Sequence, residues 1–285
     1  MPINLSGRPI AITGASSGIG AATAIACARA GMPVALGARR TDKLDKLVDR
    51  IEKTGGRAVA VAMDVTREED CRTLAERTVE SFGSLYAVYA NAGYGEERPI
   101  AQTSDADLRA MFETNFFGSI STVRAALPLI ERNPGPDRGH ILFCSSCLAK
   151  LPVPYVGVYS ATKAAQHHVG RAMRLELEPM GIHVSTVHPI GTRTEFFDTM
   201  ARLSGHDKPI EHTPGWFMQS ADFVAERTVA CLRRPRPEVW TGFRGWLVRT
   251  GMAVANTMPS VTDSAMRRMV RRRMTHEATA DHAGR

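Results

Sequence analysis

The chain has 285 residues, 44% of them hydrophobic and 23% charged, which favours a buried core over a disordered segment. Its formal charge of +7 reflects thirty arginines against six lysines, and no aromatic platform or DNA-reading motif accompanies them, which sets nucleic-acid binding aside. No stretch approaches the ~18 apolar residues of a membrane span, Met1 to Ser6 carries no targeting signal, and five cysteines without a secretory leader are expected as reduced thiols in the cytoplasm.

Pro9 to Thr13 is a short apolar run of strand character. Gly14, Gly18 and Gly20 follow, and then an alanine-rich helix over Ala21 to Ala30. A glycine-rich turn entering a helix N-terminus presents backbone N–H groups and the positive end of the helix dipole, which suits a pyrophosphate. The spacing, G-x-x-x-G-x-G, is a longer turn than the general dinucleotide fingerprint. The next strand, Pro33 to Gly37, ends in Ala38-Arg39-Arg40, where a fold of this kind that binds NAD places a carboxylate on the ribose hydroxyls. Arginine is instead a planar, bidentate partner for phosphate. A cofactor with a 2′-phosphate, NADP(H), is therefore expected, held by Arg39 with Arg40 as a second candidate.

Ala58 to Ala62, Leu85 to Ala90, His140 to Cys144, His183 to His188 and Glu238 to Thr241 read as further strands. Between them Cys71, Leu74, Ala75, Thr78, Val79 and Phe82 recur at helical spacing. This alternation predicts an α/β fold: a doubly wound, Rossmann-type parallel sheet with helices on both faces and the cofactor at the carboxyl ends of the strands. One domain over residues 1–242 is expected, with a C-terminal extension over 243–285.

Tyr159 and Lys163 stand four residues apart, and Ser146 precedes the tyrosine by thirteen. Positions i and i+4 share a helix face, so an ammonium should lie beside a phenol. Bringing a phenol from ~10 to near 7 takes ~4 kcal/mol, which a close ammonium and a cationic cofactor could supply together. The pair reads as a tuned proton donor. Cys144 and Cys147 form a C-x-x-C without a second ligand pair, so no metal is expected. Adjacent His167 and His168 are expected on a packed or solvated face.

With these motifs in order, the chain resembles the short-chain dehydrogenase/reductase family from about Ile10 to Gly242. Thr13 to Gly20 matches the family's cofactor turn and Asp64 its acid near the adenine. Asn91-Ala92-Gly93 matches the segment that ends the fourth strand. Asn115 matches the asparagine that holds a proton-relaying water, and Ser146, Tyr159 and Lys163 complete the tetrad. Ser145 is the rival to Ser146, and the thirteen-residue separation selects Ser146. Thr194 falls where a threonine contacts the nicotinamide carboxamide. The resemblance thus implies cofactor contacts at Gly14, Ser16, Ser17, Gly18, Ile19, Gly20, Arg39, Asp64, Val65, Asn91, Tyr159, Lys163 and Thr194. It implies a carbonyl/alcohol oxidoreductase acting on a small molecule, as a homodimer or homotetramer through the helices bearing Asn115 and Tyr159.

Two positions depart from the family pattern. Pro189-Ile190 replaces Pro-Gly, which is expected to reshape the nicotinamide pocket, and Cys147-Leu148-Ala149 replaces a common Ala-Gly in the pocket wall. Thr194 to Gln219, with Phe196, Phe197, Met200, Leu203, Trp216, Phe217 and Met218, corresponds to a lid and favours a hydrophobic substrate. In the extension, Val261, Ala265, Met266, Met269 and Val270 form a helical stripe with Arg267, Arg268, Arg271 and Arg272 facing elsewhere. Packing on the protein itself or a neighbour is expected of it, with peripheral membrane contact as the alternative. A non-catalytic NADP(H)-binding regulator is the alternative to an enzyme.

Overall fold

The computed structural model describes residues 1–205, 215, 218–242 and isolated positions between 250 and 271. Among the described residues the strands are β1 (Ile10–Thr13), β2 (Val34–Ala38), β3 (Ala58–Ala62), β4 (Ala87–Ala90), β5 (Gly139–Cys144), β6 (Ile182–His188), β7 (Thr192–Arg193), β8 (Gln219–Ser220) and β9 (Glu238–Trp240). The α-helices are α1 (Gly18–Arg29), α2 (Thr41–Glu52), α3 (Glu68–Phe82), α4 (Asp105–Phe112), α5 (Gly118–Ile130), α6 (Gly157–Leu177), α7 (Glu195–Leu203) and α8 (Ala221–Arg233).

Seven strands make one parallel sheet in the order β3-β2-β1-β4-β5-β6-β9. The chain winds outward in one direction from β1 to β3 and in the other from β4 to β9, so the topological switch lies between β1 and β4. Both sheet faces are buried, and the two-residue period of a strand sorts side chains between them. Ile10 and Ile12 pack with Ala24 and Cys27 of α1, Leu44 and Leu47 of α2, and Val224 of α8. Ala11 points the other way, among Leu74 of α3, Val123 of α5 and Leu177 of α6. Burying a side chain of this size contributes ~1.5–3 kcal/mol. The doubly wound fold read from the alternating runs is the one found.

Local differences have local causes. α1 starts at Gly18 rather than Ala21: Gly18 enters it with φ +56, a conformation that favours glycine, and Ile19 and Gly20 continue into the helix. α3 starts at Glu68, three residues before the first apolar position, with Glu68, Glu69 and Asp70 in the first turn, where carboxylates favour the helix dipole. Between α4 and α5 the helix continues through a π turn over Glu113–Phe117, with Asn115 inside it. β7 and β8 form a separate two-residue pair, too short to carry a periodic signal. Trp216 and Phe217 of the expected lid lie outside the described residues, as do Val261, Ala265 and Met269 of the tail stripe and Arg272 beside it. The described positions from 250 to 271 are helical. Among the described residues no helix is long and apolar enough to cross a membrane.

Candidate active site

A cleft of about 460 Å³ opens at the carboxyl ends of β1 and β4. Gly14, Ser16, Ser17, Gly18, Ile19, Arg39, Asp64, Val65, Asn91, Ser146, Tyr159, Lys163 and Thr194 all line it. Gly20 and Asn115, the other two predicted site residues, stand behind this lining. Gly14 has φ +65, and a Cβ there would lie 2.8 Å from the Ala92 Cα, so only glycine lets the turn press against the end of β4. At Gly20 a Cβ would lie 2.5 Å from the Gly14 carbonyl oxygen. Thr13 Oγ1 accepts from the N–H of Asn91 (3.0 Å) and of Ala92 (3.1 Å), while Asn91 Nδ2 donates to the Thr13 carbonyl (2.9 Å). The Asn91 amide therefore stitches β4 to the glycine turn. At the start of α1, Ser17 makes no side-chain cap and the first turn holds no acid. Its N–H groups and dipole suit an anion, so the cradle fits a dinucleotide pyrophosphate.

The two arginines after β2 differ. Arg39 has an 80% exposed side chain, with Nη1 3.7 Å from Asp64 Oδ2. Partial burial pushes the Asp64 carboxyl up, but hydrogen bonds from Thr66 and the charges of Arg39 and Arg67 outweigh it and hold the group below its usual range. Arg40 donates to Ser16 Oγ (3.0 Å), Ser17 Oγ (2.7 Å) and Glu195 Oε2 (2.8 Å). Lys43 Nζ donates to the other Glu195 oxygen at 2.6 Å.

Ser146, Tyr159, Lys163 and Asn115 come together from three places in the fold: the end of β5, α6 (which carries both Tyr159 and Lys163) and the turn between α4 and α5. Ser146 follows β5 and its Oγ accepts from the Leu148 N–H at 3.1 Å, capping a short 3₁₀ turn over Cys147–Lys150. The same side chain is near enough to Tyr159 to favour its charged form. Ser145 faces away, donating to the Lys163 carbonyl at 3.0 Å. Lys163 Nζ donates to the Cys144 carbonyl at 2.7 Å and lies 5.7 Å from the Tyr159 ring centre. Asn115 Oδ1 accepts from the Tyr94 N–H (2.9 Å), and its Nδ2 donates to the Tyr94 carbonyl (2.8 Å) and Thr162 Oγ1 (3.1 Å). A Cβ on Gly93 would stand 3.0 Å from Asn115 Oδ1 and 3.3 Å from Lys163 Nζ, so the asparagine and lysine meet over that glycine.

Both members of the Tyr159–Lys163 pair are buried, which the spacing alone does not convey. Burial raises the Tyr159 phenol above its ordinary value, the buried Cys144 and Cys147 thiols add to this, and the nearby Ser146 side chain opposes it. The Lys163 ammonium is turned toward the Cys144 carbonyl, 2.7 Å away. Burial pulls Lys163 itself down to about 8. The i, i+4 spacing gave proximity correctly but not the desolvation of both partners.

Behind Ser146 lies a wall that the sequence did not disclose. His188, fully buried, has Nδ1 3.0 Å from the Ser146 carbonyl oxygen and Nε2 3.0 Å from Thr186 Oγ1. Burial pulls its pKa down to about 4, so the ring is neutral. The pattern assigns Nδ1–H as donor to Ser146 and Nε2 as acceptor from Thr186. The ring stacks on Trp240 at 4.6 Å and meets His167 edge-on at 5.1 Å. Glu238 accepts from Lys150 Nζ (3.0 Å) and Trp240 Nε1 (2.9 Å). His167, His188 and Glu238 bring potential ligand atoms within 4.8 Å of one another, but the Lys150 ammonium already neutralises the carboxylate. On the lid, Phe196 packs against Tyr159 with ring centres 5.4 Å apart, and Met200 is buried. Thr194 caps α7 by accepting from the Phe196 N–H at 3.3 Å, and its Cβ would lie 3.2 Å from a Cβ on Gly18.

A family profile described as short chain dehydrogenase matches residues 8–202. An uncharacterised oxidoreductase of Listeria innocua is 34% identical over 200 residues, spanning 70% of this chain and 79% of that one. An alcohol dehydrogenase of Thermococcus sibiricus, solved with 5-hydroxy-NADP, superposes with a TM-score of 0.69 at 30% identity, covering 81% of this chain and 94% of its own. A short-chain dehydrogenase/reductase of Burkholderia phymatum, solved with NAD, shares the fold with a TM-score of 0.79 at 24% identity, covering 91% and 96%. The profile, the bacterial relative and the cleft at the β1–β4 switch agree: this chain belongs to the short-chain dehydrogenase/reductase family of oxidoreductases.

Proposed function

We propose that the protein is an NADP(H)-dependent oxidoreductase that interconverts a carbonyl and a primary or secondary alcohol on a hydrophobic small molecule. The observation that carries this reading is the convergence of Ser146, Tyr159 and Lys163 at the inner end of a cleft whose outer end holds Arg39 and Arg40. Bound NADP(H) supplies or accepts the hydride. The Ser146 hydroxyl hydrogen-bonds the substrate oxygen, where negative charge develops. Tyr159 gives that oxygen its proton in reduction and takes it back in oxidation, a contribution of ~10²–10⁴-fold for a positioned acid–base group. Lys163 holds the ribose hydroxyls, and Asn115 fixes the Tyr94 backbone beside the lysine and supports proton relay.

The residues flanking this centre are apolar: Leu148, Val153, Val156, Phe196 and Met200 line the cleft, which supports a hydrophobic substrate. Residues 1–242 form the catalytic domain in this reading. The enzyme acts in the cytoplasm, where its five free, buried cysteines stay reduced. It assembles as a homodimer or homotetramer through α4, α5 and α6.

The test is an NADPH-consumption screen over ketones and aldehydes of graded size and polarity, with NADH run beside it. Tyr159→Phe should bind NADPH like the wild type and lose about 10²-fold or more of turnover. Unchanged turnover would remove Tyr159 from the chemistry.

A further inference from the structure

The cations beyond β2 are shared with the lid. Glu195 is the first residue of α7 and places each carboxylate oxygen on a different cation, Oε2 at 2.8 Å from Arg40 Nη1 and Oε1 at 2.6 Å from Lys43 Nζ. Arg40 also donates to the Ser16 and Ser17 hydroxyls of the glycine-rich turn. Two cations thus converge on one anionic group, which the chain itself provides from 152 residues away, while the two serine hydroxyls hold the far side of the Arg40 guanidinium. A phosphate monoester has greater charge and three acceptor oxygens, and suits an arginine fork at least as well as a carboxylate does. A phosphate drawn to these cations meets the Glu195 carboxylate as a like charge, so the two anions compete for them.

We infer that Glu195 is a latch read by the 2′-phosphate of the cofactor: its carboxylate bridges Arg40 and Lys43 until a 2′-phosphate takes those cations from it. This rests on the NADP(H) reading above and adds to it a specificity-determining residue outside the pattern of motifs. Glu195 is charged at neutral pH, since hydrogen bonds from Lys43 and Arg40 pull it down to about 2. All three side chains are between a third and a half exposed, so the exchange needs no rearrangement of the core. The next residue, Phe196, packs on Tyr159 with ring centres 5.4 Å apart. Release of Glu195 therefore loosens the end of α7 that covers the proton donor. A cofactor lacking the 2′-phosphate leaves the latch engaged, so the same pair of cations reads the cofactor and holds the lid.

The experiment compares 2′,5′-ADP with 5′-ADP by calorimetry on the full chain, wild type and Glu195→Gln. Hydrogen exchange of the α7 peptide is followed in the wild type with each ligand. Removing the competing charge should tighten 2′,5′-ADP by about three- to tenfold, the range two half-exposed ion pairs can supply. Binding of 5′-ADP should stay within about twofold. Exchange in α7 should rise with 2′,5′-ADP and not with 5′-ADP. If the wild type prefers 2′,5′-ADP but Glu195→Gln leaves that preference unchanged, or if α7 becomes more protected with 2′,5′-ADP, the latch is wrong while the NADP(H) reading stands. If the wild type does not distinguish the two ligands, both fail. Glu195→Lys is the second variant and should tighten 2′,5′-ADP at least as much; weaker binding would equally overturn the latch.

Discussion

Lys163 is 3% exposed, and its ammonium has the Cys144 carbonyl at 2.7 Å as a partner. Its pKa falls from 10.5 to about 8 in the folded protein. Between those values the unfolded chain binds more protons than the folded one, so stability rises with pH across that window. Below about 8 the full penalty of a buried charge is present, a difference on the order of 3 kcal/mol. Lys163→Met should accordingly be more stable than the wild type near neutrality, by up to about 3 kcal/mol, with the advantage shrinking as pH approaches 10.5. Urea unfolding at several pH values checks this, and a pH-independent difference would refute it. Ile190 teaches a different lesson. Its side chain is buried, and a Cβ on Gly242 would sit 2.5 Å from its Cδ1. The missing glycine of the Pro-Gly pattern is thus offset by another glycine 52 positions later. The departure was legible in the sequence, but its accommodation depends on a contact between the segments that follow β6 and β9, which are neighbours in the sheet and far apart in the chain.

At the scale of an element, the π turn over Glu113–Phe117 frees one backbone group from the helix and turns it to use. The Asn115 carbonyl accepts from Gln166 Nε2 and Ser119 Oγ, 2.6 and 2.7 Å away, tying α5 to α6. Its side chain meanwhile satisfies both backbone groups of Tyr94. Asn115→Ala leaves these without a protein partner, at about 1–3 kcal/mol for each group that stays buried and unpaired. A lower thermal midpoint is expected, together with weaker turnover. An unchanged melting curve would show that Asn115 is not a structural strut. The strands of the main sheet were readable because each is a continuous apolar run, as a parallel sheet covered on both faces requires. α3 was readable from its stripe. The π turn was not, since a single extra residue per turn leaves no periodic mark. Nor was the bridge from Glu195 to α2, because charge pairing across the fold has no spacing rule. Gly14, Gly18, Tyr159 and Lys163 were accessible for the opposite reason: their geometry is set within a few neighbouring residues.

For the molecule as a whole, two surface positions bear on assembly. Phe117 and Leu175 are 50% and 67% exposed on the helical layer that carries Asn115 and Tyr159. If that layer joins subunits, Phe117→Glu with Leu175→Glu should shift sedimentation toward a monomer while leaving far-ultraviolet dichroism intact. A wild type that already sediments as a monomer, or a double variant that stays oligomeric, would place assembly elsewhere. The overall layout also fixes a temporal order. β9 contributes Glu238 and Trp240, which reach Ser146 through Lys150, His167 and His188. Chains emerge from the ribosome N-terminus first. The glycine turn, Tyr159 and six strands of the sheet are therefore available while Glu238 and Trp240, the outer part of the brace behind Ser146, are still being translated. A nascent chain thus possesses its glycine cradle, Ser146 and the His188 that holds it before the last described strand of the sheet arrives to stack Trp240 on that histidine.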